Sequence, residues 1–254
     1  GNVHVAGYFT NTVDFGAGDV TSAGDQDAFV TKLNSAGAHQ WTTTFGGTGS
    51  DASYGVAVDG AGNVHVAGYF TNTVDFGAGN VTSNGQADGF VTKLNSSGAH
   101  QWTTTFGGTD NDIGFDVAVD GAGNVHATGT FKNTVDFGAG VVVSAGGEDA
   151  FVTKLNSSGA HQWTTTFGGT GTDYSYGVAV DGSGNVYATG NFIGAVYFGS
   201  NITSNGQSDV FVVKLNSAGQ AAVGVSWQTT DGSDTNYGSI TFGGTSGDYS
   251  YWVA

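Results

Sequence analysis

Residues 62–70 read Gly62-Asn63-Val64-His65-Val66-Ala67-Gly68-Tyr69-Phe70, and the same string or a near copy starts at Gly1, Gly123 and Gly184, always 61 residues apart. A second string, Phe-Val-(Thr/Val)-Lys-Leu-Asn-Ser, starts at Phe29, Phe90, Phe151 and Phe211, with spacings of 61, 61 and 60. A third, His-Gln-Trp-Thr-Thr-Thr-Phe-Gly-Gly, starts at His39, His100 and His161. The fourth copy is interrupted. Phe167 to Phe242 is 75 residues, so an insertion falls at about 220–240 and carries Trp227 and Asp231-Gly232-Ser233-Asp234. Self-similarity at a fixed period of this size marks a repeat architecture.

Each unit predicts four short strands. Residues 54–59 alternate, with Val56 and Val58 on one face. Gly60-Ala61-Gly62 makes a tight turn, because glycine tolerates positive φ. Residues 63–70 form the second strand, and residues 71–87 a long loop without helical periodicity. Residues 88–94 form the third, closed by Asn95-Ser96-Ser97-Gly98, and residues 100–106 the fourth, rich in Trp, Thr and Phe. A four-stranded unit of 61 residues is too small to bury both faces alone and has to stack on its neighbours. The expectation is an all-β fold, a β-propeller of four-stranded antiparallel blades, ranked ahead of a β-solenoid, whose rungs are much shorter. The chain is read as one domain, 1–254, with repeats 1–61, 62–122, 123–183 and 184–254.

Gly-Asn-Val-His-Val-Ala-Gly-Tyr-Phe, Asp-Ala-Phe-Val-Thr-Lys-Leu-Asn, Trp-Thr-Thr-Thr-Phe-Gly-Gly-Thr-Gly-Ser-Asp and Gly-Val-Ala-Val-Asp together resemble the SBBP-type β-propeller repeat of microbial secreted and surface proteins. The resemblance implies an extracellular or cell-surface location and no shared catalytic residues. It departs from the family in two respects: the family name implies seven blades against four copies here, and the fourth copy carries the insertion.

The phase of the copies predicts how the blades are completed. The sequence opens on a second strand, 2–9, and closes on 249–254, which matches the first strand at 174–179. Four blades therefore result when Tyr249, Tyr251, Trp252 and Val253 supply the ladder partner of Val3, His4 and Val5, in the same chain or in a sister molecule. An unpartnered strand edge otherwise recruits another strand.

Composition narrows the function. Lys and Arg total 5 against 21 Asp and Glu, a net charge of −16, which excludes the dense cationic face that nucleic acid or an anionic membrane requires. No stretch of 18 apolar residues predicts membrane insertion. Cysteine is absent, so there is no disulfide and no thiol nucleophile. Methionine is absent too, so Gly1 is no translation start, and the sequence reads as one trimmed of a leader or as a window of a longer chain.

Candidate chemistry is weighed against turn-making. Asp59-Gly60-Ala61-Gly62-Asn63 recurs at 120–124 and 181–185. Asp14, Asp75 and Asp136 recur in Val-Asp-Phe-Gly, and Asp51, Asp112, Asp173 and Asp248 precede first strands. Short Asp side chains cap such turns through backbone N–H groups, and that reading is preferred. Calcium is the alternative, and Asp110, Asp112, Asp231 and Asp234 mark the densest oxygen clusters. No other cofactor is expected. His4, His65 and His126 align with Tyr187, which breaks any metal ring. Trp41, Trp102 and Trp163 recur once per unit and are read as blade packing rather than sugar stacking. No catalytic set stands out among near-identical copies. The expected function is a non-enzymatic structural or interaction module that self-associates head-to-tail or packs on neighbouring surface proteins. The alternative is a multivalent, lectin-like glycan binder that gains strength by avidity.

Overall fold

The computed structural model describes residues 1–199, 201–204, 207–221 and 239–242. Every regular element among them is a strand. The first unit contributes β1 (Val3–Phe9), β2 (Thr12–Asp14), β3 (Asp19–Thr21), β4 (Asp27–Leu33) and β5 (His39–Phe45). Next come β6 (Ala52–Val58), β7 (Val64–Phe70), β8 (Thr73–Asp75), β9 (Asn80–Thr82), β10 (Asp88–Leu94) and β11 (His100–Phe106). The third unit has β12 (Ile113–Val119), β13 (Val125–Asp136), β14 (Val141–Leu155) and β15 (His161–Phe167). The last has β16 (Tyr174–Val180), β17 (Val186–Phe192), β18 (Ala195–Tyr197), β19 (Asn201–Thr203), β20 (Asp209–Leu215) and β21 (Ser239–Phe242).

Three four-stranded antiparallel sheets follow, β6-β7-β10-β11, β12-β13-β14-β15 and β16-β17-β20-β21, together with the three-stranded β1-β4-β5. Sheet and repeat are offset by one strand: β6 ends the first sequence repeat yet pairs with β7 of the second, Val58 facing Val64. Each complete sheet thus covalently ties two repeats together. β21 returns to β20 with Val210 opposite Phe242, the register that Ala150 and Phe167 hold one unit earlier. The chain therefore recovers its ladder beyond the insertion. Residues 222–238 lie outside the described residues, and with them Trp227, Asp231 and Asp234.

Two local features depart from the sequence expectation. The long loop between second and third strands is not featureless. Residues 73–82 form a side hairpin, in which Thr73 faces Thr82 and their hydroxyls meet at 2.8 Å. It is entered through Asn72 at φ 59° and turned by Gly77 and Gly79, with Asp75 Oδ1 accepting from both glycine N–H groups. In the third unit the same hairpin forms the far ends of β13 and β14, joined to the main ladder across a register shift between Lys132 and Thr134. The second departure is a bulge in each first strand. Ser53 faces Gly68 and Gly55 faces Ala67, which leaves Tyr54 as the extra residue; Phe115 and Tyr176 occupy the same place in β12 and β16. Bulges re-aim side chains, and here each one turns an aromatic ring out of the ladder.

The core lies between sheets, as stacking requires. Val30 and Phe45 of the first sheet pack with Val64, Val66, Phe70 and Phe90 of the second. Val91 and Phe106 of the second pack with Val125, Phe131 and Phe151 of the third, and Val152 and Phe167 of the third with Val186, Phe192 and Phe211 of the fourth. Each fully buried Val or Phe contributes about 1.5–3 kcal/mol, so each sheet draws most of its stability from its neighbour.

Candidate functional site: the open flank of the first sheet

Second strands β7, β13 and β17 are paired on both sides, whereas β1 pairs with β4 alone among the described residues. Its other edge has no ladder partner among the described residues. The backbone register makes the difference concrete. A β-carbon on Gly68, Gly129 or Gly190 would overlap the carbonyl oxygen of Ala52, Ile113 or Tyr174 in the adjoining first strand. On Gly7, the equivalent residue, it would meet the Phe29 ring at 3.0 Å and no carbonyl oxygen among the described residues.

The face beside that edge is uncovered as well. Val64 and Val66 are 0% exposed, while Val3 and Val5, which hold their places in β1, are 50% and 42% exposed. Phe90, Leu94, Val74 and Phe76 are buried, while Phe29, Leu33, Val13 and Phe15 are half-buried. The open edge borders a cavity of about 530 Å³ lined by Gly7, Tyr8, Phe29, Tyr54, Phe115 and Tyr176. Three of these are the bulge aromatics. Tyr54 and Phe115 lie 5.7 Å apart between ring centroids, and Phe115 and Tyr176 5.2 Å. Burial pushes the Tyr54 hydroxyl up to about 12. The Tyr174 hydroxyl donates to Glu148 Oε2 at 2.6 Å, and burial together with that carboxylate raises its pKa.

A second open surface lies at the far end of the stack. Val91 and Val152 are buried against the next sheet, but their counterpart Val212 is half-buried, as is Val210. Tyr249, Tyr251, Trp252 and Val253, expected to complete the first sheet, lie outside the described residues, as does Asp248.

The remaining candidates occupy structural positions. Trp41, Trp102 and Trp163 bridge units: each indole Nε1 donates to the carbonyl of Ser96, Ser157 or Ser217 at 3.1–3.2 Å. Thr43 and Thr104 add hydroxyl bonds to the carbonyls of Gly98 and Gly159 in the same turns. Lys32 Nζ donates to the Ser96 carbonyl at 3.1 Å. His65 and His126 are fully buried beside Trp102 and Trp163, 3.7 Å from Asp59 and Asp120, and burial holds each imidazole down to about 4. Tyr187, in their place, donates its hydroxyl to Asp181 at 3.2 Å. His39, His100 and His161 each bond a threonine on their own strand at 2.9–3.0 Å.

Asp59 Oδ1 accepts from the N–H groups of Ala61 and Asn63, and Asp120 and Asp181 repeat the cap. Asp112 accepts from Gly108 N and Lys132 N, whereas Asp110 is half-buried and accepts from Asn133 Nδ2. No group of three His, Cys, Asp or Glu side chains among the described residues has metal-site geometry. The sequence did not reveal the bulge aromatics as a set. Their signal was present, an aromatic at 54, 115 and 176 in otherwise small-residue strands.

The described residues form antiparallel sheets packed face to face, with first strands supplied by the preceding repeat. The SBBP β-propeller repeat model matches the chain at two places, residues 40–73 and 162–191. It is 27% identical over 194 residues to the regulatory protein FlaEY of Caulobacter vibrioides, covering 72% of this chain and 20% of that protein. It is 24% identical over 218 residues to an uncharacterized WD repeat-containing protein of Acanthamoeba polyphaga mimivirus, covering 70% of this chain and 16% of that protein. The chain thus spans a fifth or less of the length of these relatives.

Proposed function

We propose that the chain is a non-catalytic, extracellular interaction module that joins head-to-tail with copies of itself. In this reading residues 249–254 of one copy add to the open edge of β1 in the next, as the sequence match to 174–179 suggests. The observation that carries it is the open β1 flank. Val3 and Val5 are about half exposed where their counterparts Val64 and Val66 are sealed, and the matching surface at Val210 and Val212 is half-buried at the other end. Strand addition to such an edge combines ladder hydrogen bonds with side-chain pockets. Each ladder bond contributes about 0.5–1.5 kcal/mol net, and each buried Val, Tyr or Trp about 1.5–3 kcal/mol. Together they have to exceed the roughly 4–15 kcal/mol that association costs. The relatives point the same way in class, since one is named a regulatory protein and the other a WD repeat protein.

Sedimentation and light scattering across a hundredfold concentration range test the proposal, with negative-stain imaging of the species formed. Concentration-dependent oligomers that vanish in Val5→Lys are expected. A monomer at every concentration would mean that the chain closes on itself, and the head-to-tail reading would fail.

A further inference from the structure

We infer that the cavity beside β1 is a receptor for one aromatic side chain and that Tyr251 is its occupant. The inference rests on the reading that residues 249–254 add to β1, and not on which copy supplies them. Three bulge aromatics form a run along the first strands: Tyr54 of β6, Phe115 of β12 and Tyr176 of β16. β12 lies beside both β6 and β16, and each ring packs on the next, at 5.7 Å and 5.2 Å between centroids. The cavity of about 530 Å³ touches both ends of this run, Tyr54 and Tyr176. It also touches Gly7 and Tyr8 of β1, the second strand that has no first-strand partner among the described residues. It therefore lies where the bulge ring of a strand paired to β1 would fall, and its volume is ample for one aromatic side chain.

The ladder register names the residue. Ser53 faces Gly68 and Ser175 faces Gly190; the bulge aromatic follows, and Gly55 and Gly177 then face Ala67 and Thr189. Gly7 and Ala6 hold the places of Gly68 and Ala67 in β1. Tyr249-Ser250-Tyr251 repeats Tyr174-Ser175-Tyr176. Laid on β1 in the same register, Ser250 falls opposite Gly7 and the residue after Tyr251 opposite Ala6. Tyr251 is then the extra residue, turned toward the cavity as its counterparts are turned toward one another.

A second observation points independently to the same strand. Thr128 Oγ1 and Ser175 Oγ meet at 2.7 Å across the seam between the third and fourth sheets. Thr189 holds the place of Thr128 one repeat on, and its hydroxyl is buried with no hydrogen-bond partner among the described residues. Buried hydroxyls are ordinarily bonded. By the same correspondence the partner of Thr189 is the serine of the next first strand, Ser250. A strand that brings Ser250 to Thr189 brings Tyr251 beside Tyr176, at the cavity. A free aromatic ligand would fill the cavity but would answer neither the β1 ladder nor Thr189, whereas this strand answers all three. Aromatic pairs at such separations add to the gain from buried area.

The test uses the full chain with a photoreactive benzophenone side chain at position 251, irradiated and digested, with the cross-linked peptides identified by mass spectrometry. Adducts to the peptide that carries Gly7 and Tyr8, and to those that carry Tyr54 or Tyr176, are expected. The size of the adduct on a denaturing gel keeps the two readings apart. A two-chain adduct supports both the receptor and head-to-tail joining; a one-chain adduct supports the receptor while head-to-tail joining fails. Adducts confined to other peptides, or no adduct, would overturn the assignment. Smaller substitutions guard against a probe too bulky for the site. Tyr251→Phe should match wild type, since Phe115 serves in the same place. Tyr251→Ala should weaken association roughly tenfold or more by sedimentation or, for a strand added within one chain, lower the melting temperature by several degrees. An alanine variant that matches wild type in both measurements leaves the cavity to another ligand, and the assignment fails.

Discussion

The indole Nε1 of Trp102 donates to the carbonyl oxygen of Ser157 at 3.1 Å, across 55 residues and from one sheet to the next. The six-membered side of the ring lies against Gly159, where a β-carbon would intrude, and Thr104 closes the same turn by bonding the Gly159 carbonyl at 2.7 Å. One side chain therefore supplies packing and a directional bond to the seam. Trp102→Phe retains much of the apolar area but removes the donor. The expected loss is about 1–2 kcal/mol of unfolding free energy, measured by urea denaturation. Trp102→Ala should lose about 3–5 kcal/mol, the range for deleting a large aromatic side chain from a packed site.

His126 and Tyr187 occupy one place in successive units, and their difference predicts a pH effect. His126 is buried beside Asp120 and held down to about 4, mainly by burial and then by the Lys154 charge. Its folded pKa lies below the 6.5 of the free side chain. The unfolded chain therefore binds the proton first, and stability falls as pH drops from about 6.5 toward 4. Tyrosine does not titrate there, and in the fourth unit it bonds Asp181 and sits beneath Lys214 at 5.3 Å. His126→Tyr should thus leave stability at pH 7 near wild type and gain roughly 1–2 kcal/mol relative to it at pH 5. Parallel chemical denaturation at the two pH values decides this.

The strands and their glycine turns were legible because the 61-residue period repeats each signal up to four times. The offset of sheet against repeat was legible as well, from the first-strand pattern that precedes each Gly-Asn-Val. The bulge at Tyr54, Phe115 and Tyr176 was not. Simple alternation places Val56 and Val58 on one face but gives no sign that the ladder skips a residue between Ser53 and Gly55. The side hairpin at 73–82 escaped because three-residue strands carry too little alternation to stand out. That the first sheet opens on a second strand was legible from the phase of the copies, but the exposure of its valines was not. Val3 and Val64 stand in the same local sequence, and only the neighbour that covers one of them separates 50% exposure from none.

Asp116 breaks the symmetry of the first strands, since Gly55 and Gly177 hold the equivalent places. Its carboxylate accepts from Val117 N at 2.8 Å and from Val178 N in β16 at 2.9 Å, which ties two first strands together. Burial pushes it up to about 6, against the pull of those two N–H groups. A carboxyl raised in the folded state makes its stabilising contribution below its ordinary pKa near 3.8 and loses it as pH rises through about 6. Asp116→Gly should consequently be close to neutral at pH 7 and destabilising by about 1–2 kcal/mol at pH 5. Its stability should rise less than that of wild type on acidification. Identical slopes for the two proteins would show that Asp116 does not titrate in this window.

Gly7 and Gly129 stand at the same register position, and alanine at each separates folding from association. At Gly129 a β-carbon would overlap the Ile113 carbonyl oxygen and force β12 off β13, so Gly129→Ala should lose about 2 kcal/mol or more of stability. At Gly7 the new methyl group meets, among the described residues, the edge of Phe29 at 3.0 Å, which a small ring shift relieves. Gly7→Ala should therefore melt within a few degrees of wild type. A strand arriving at β1 would bring its own carbonyl to this spot, as Ala52, Ile113 and Tyr174 do in the complete sheets. The methyl group would then block it, and sedimentation at high concentration should show Gly7→Ala as a monomer where wild type associates. If Gly7→Ala instead loses as much stability as Gly129→Ala, the β1 edge is already occupied within the same chain.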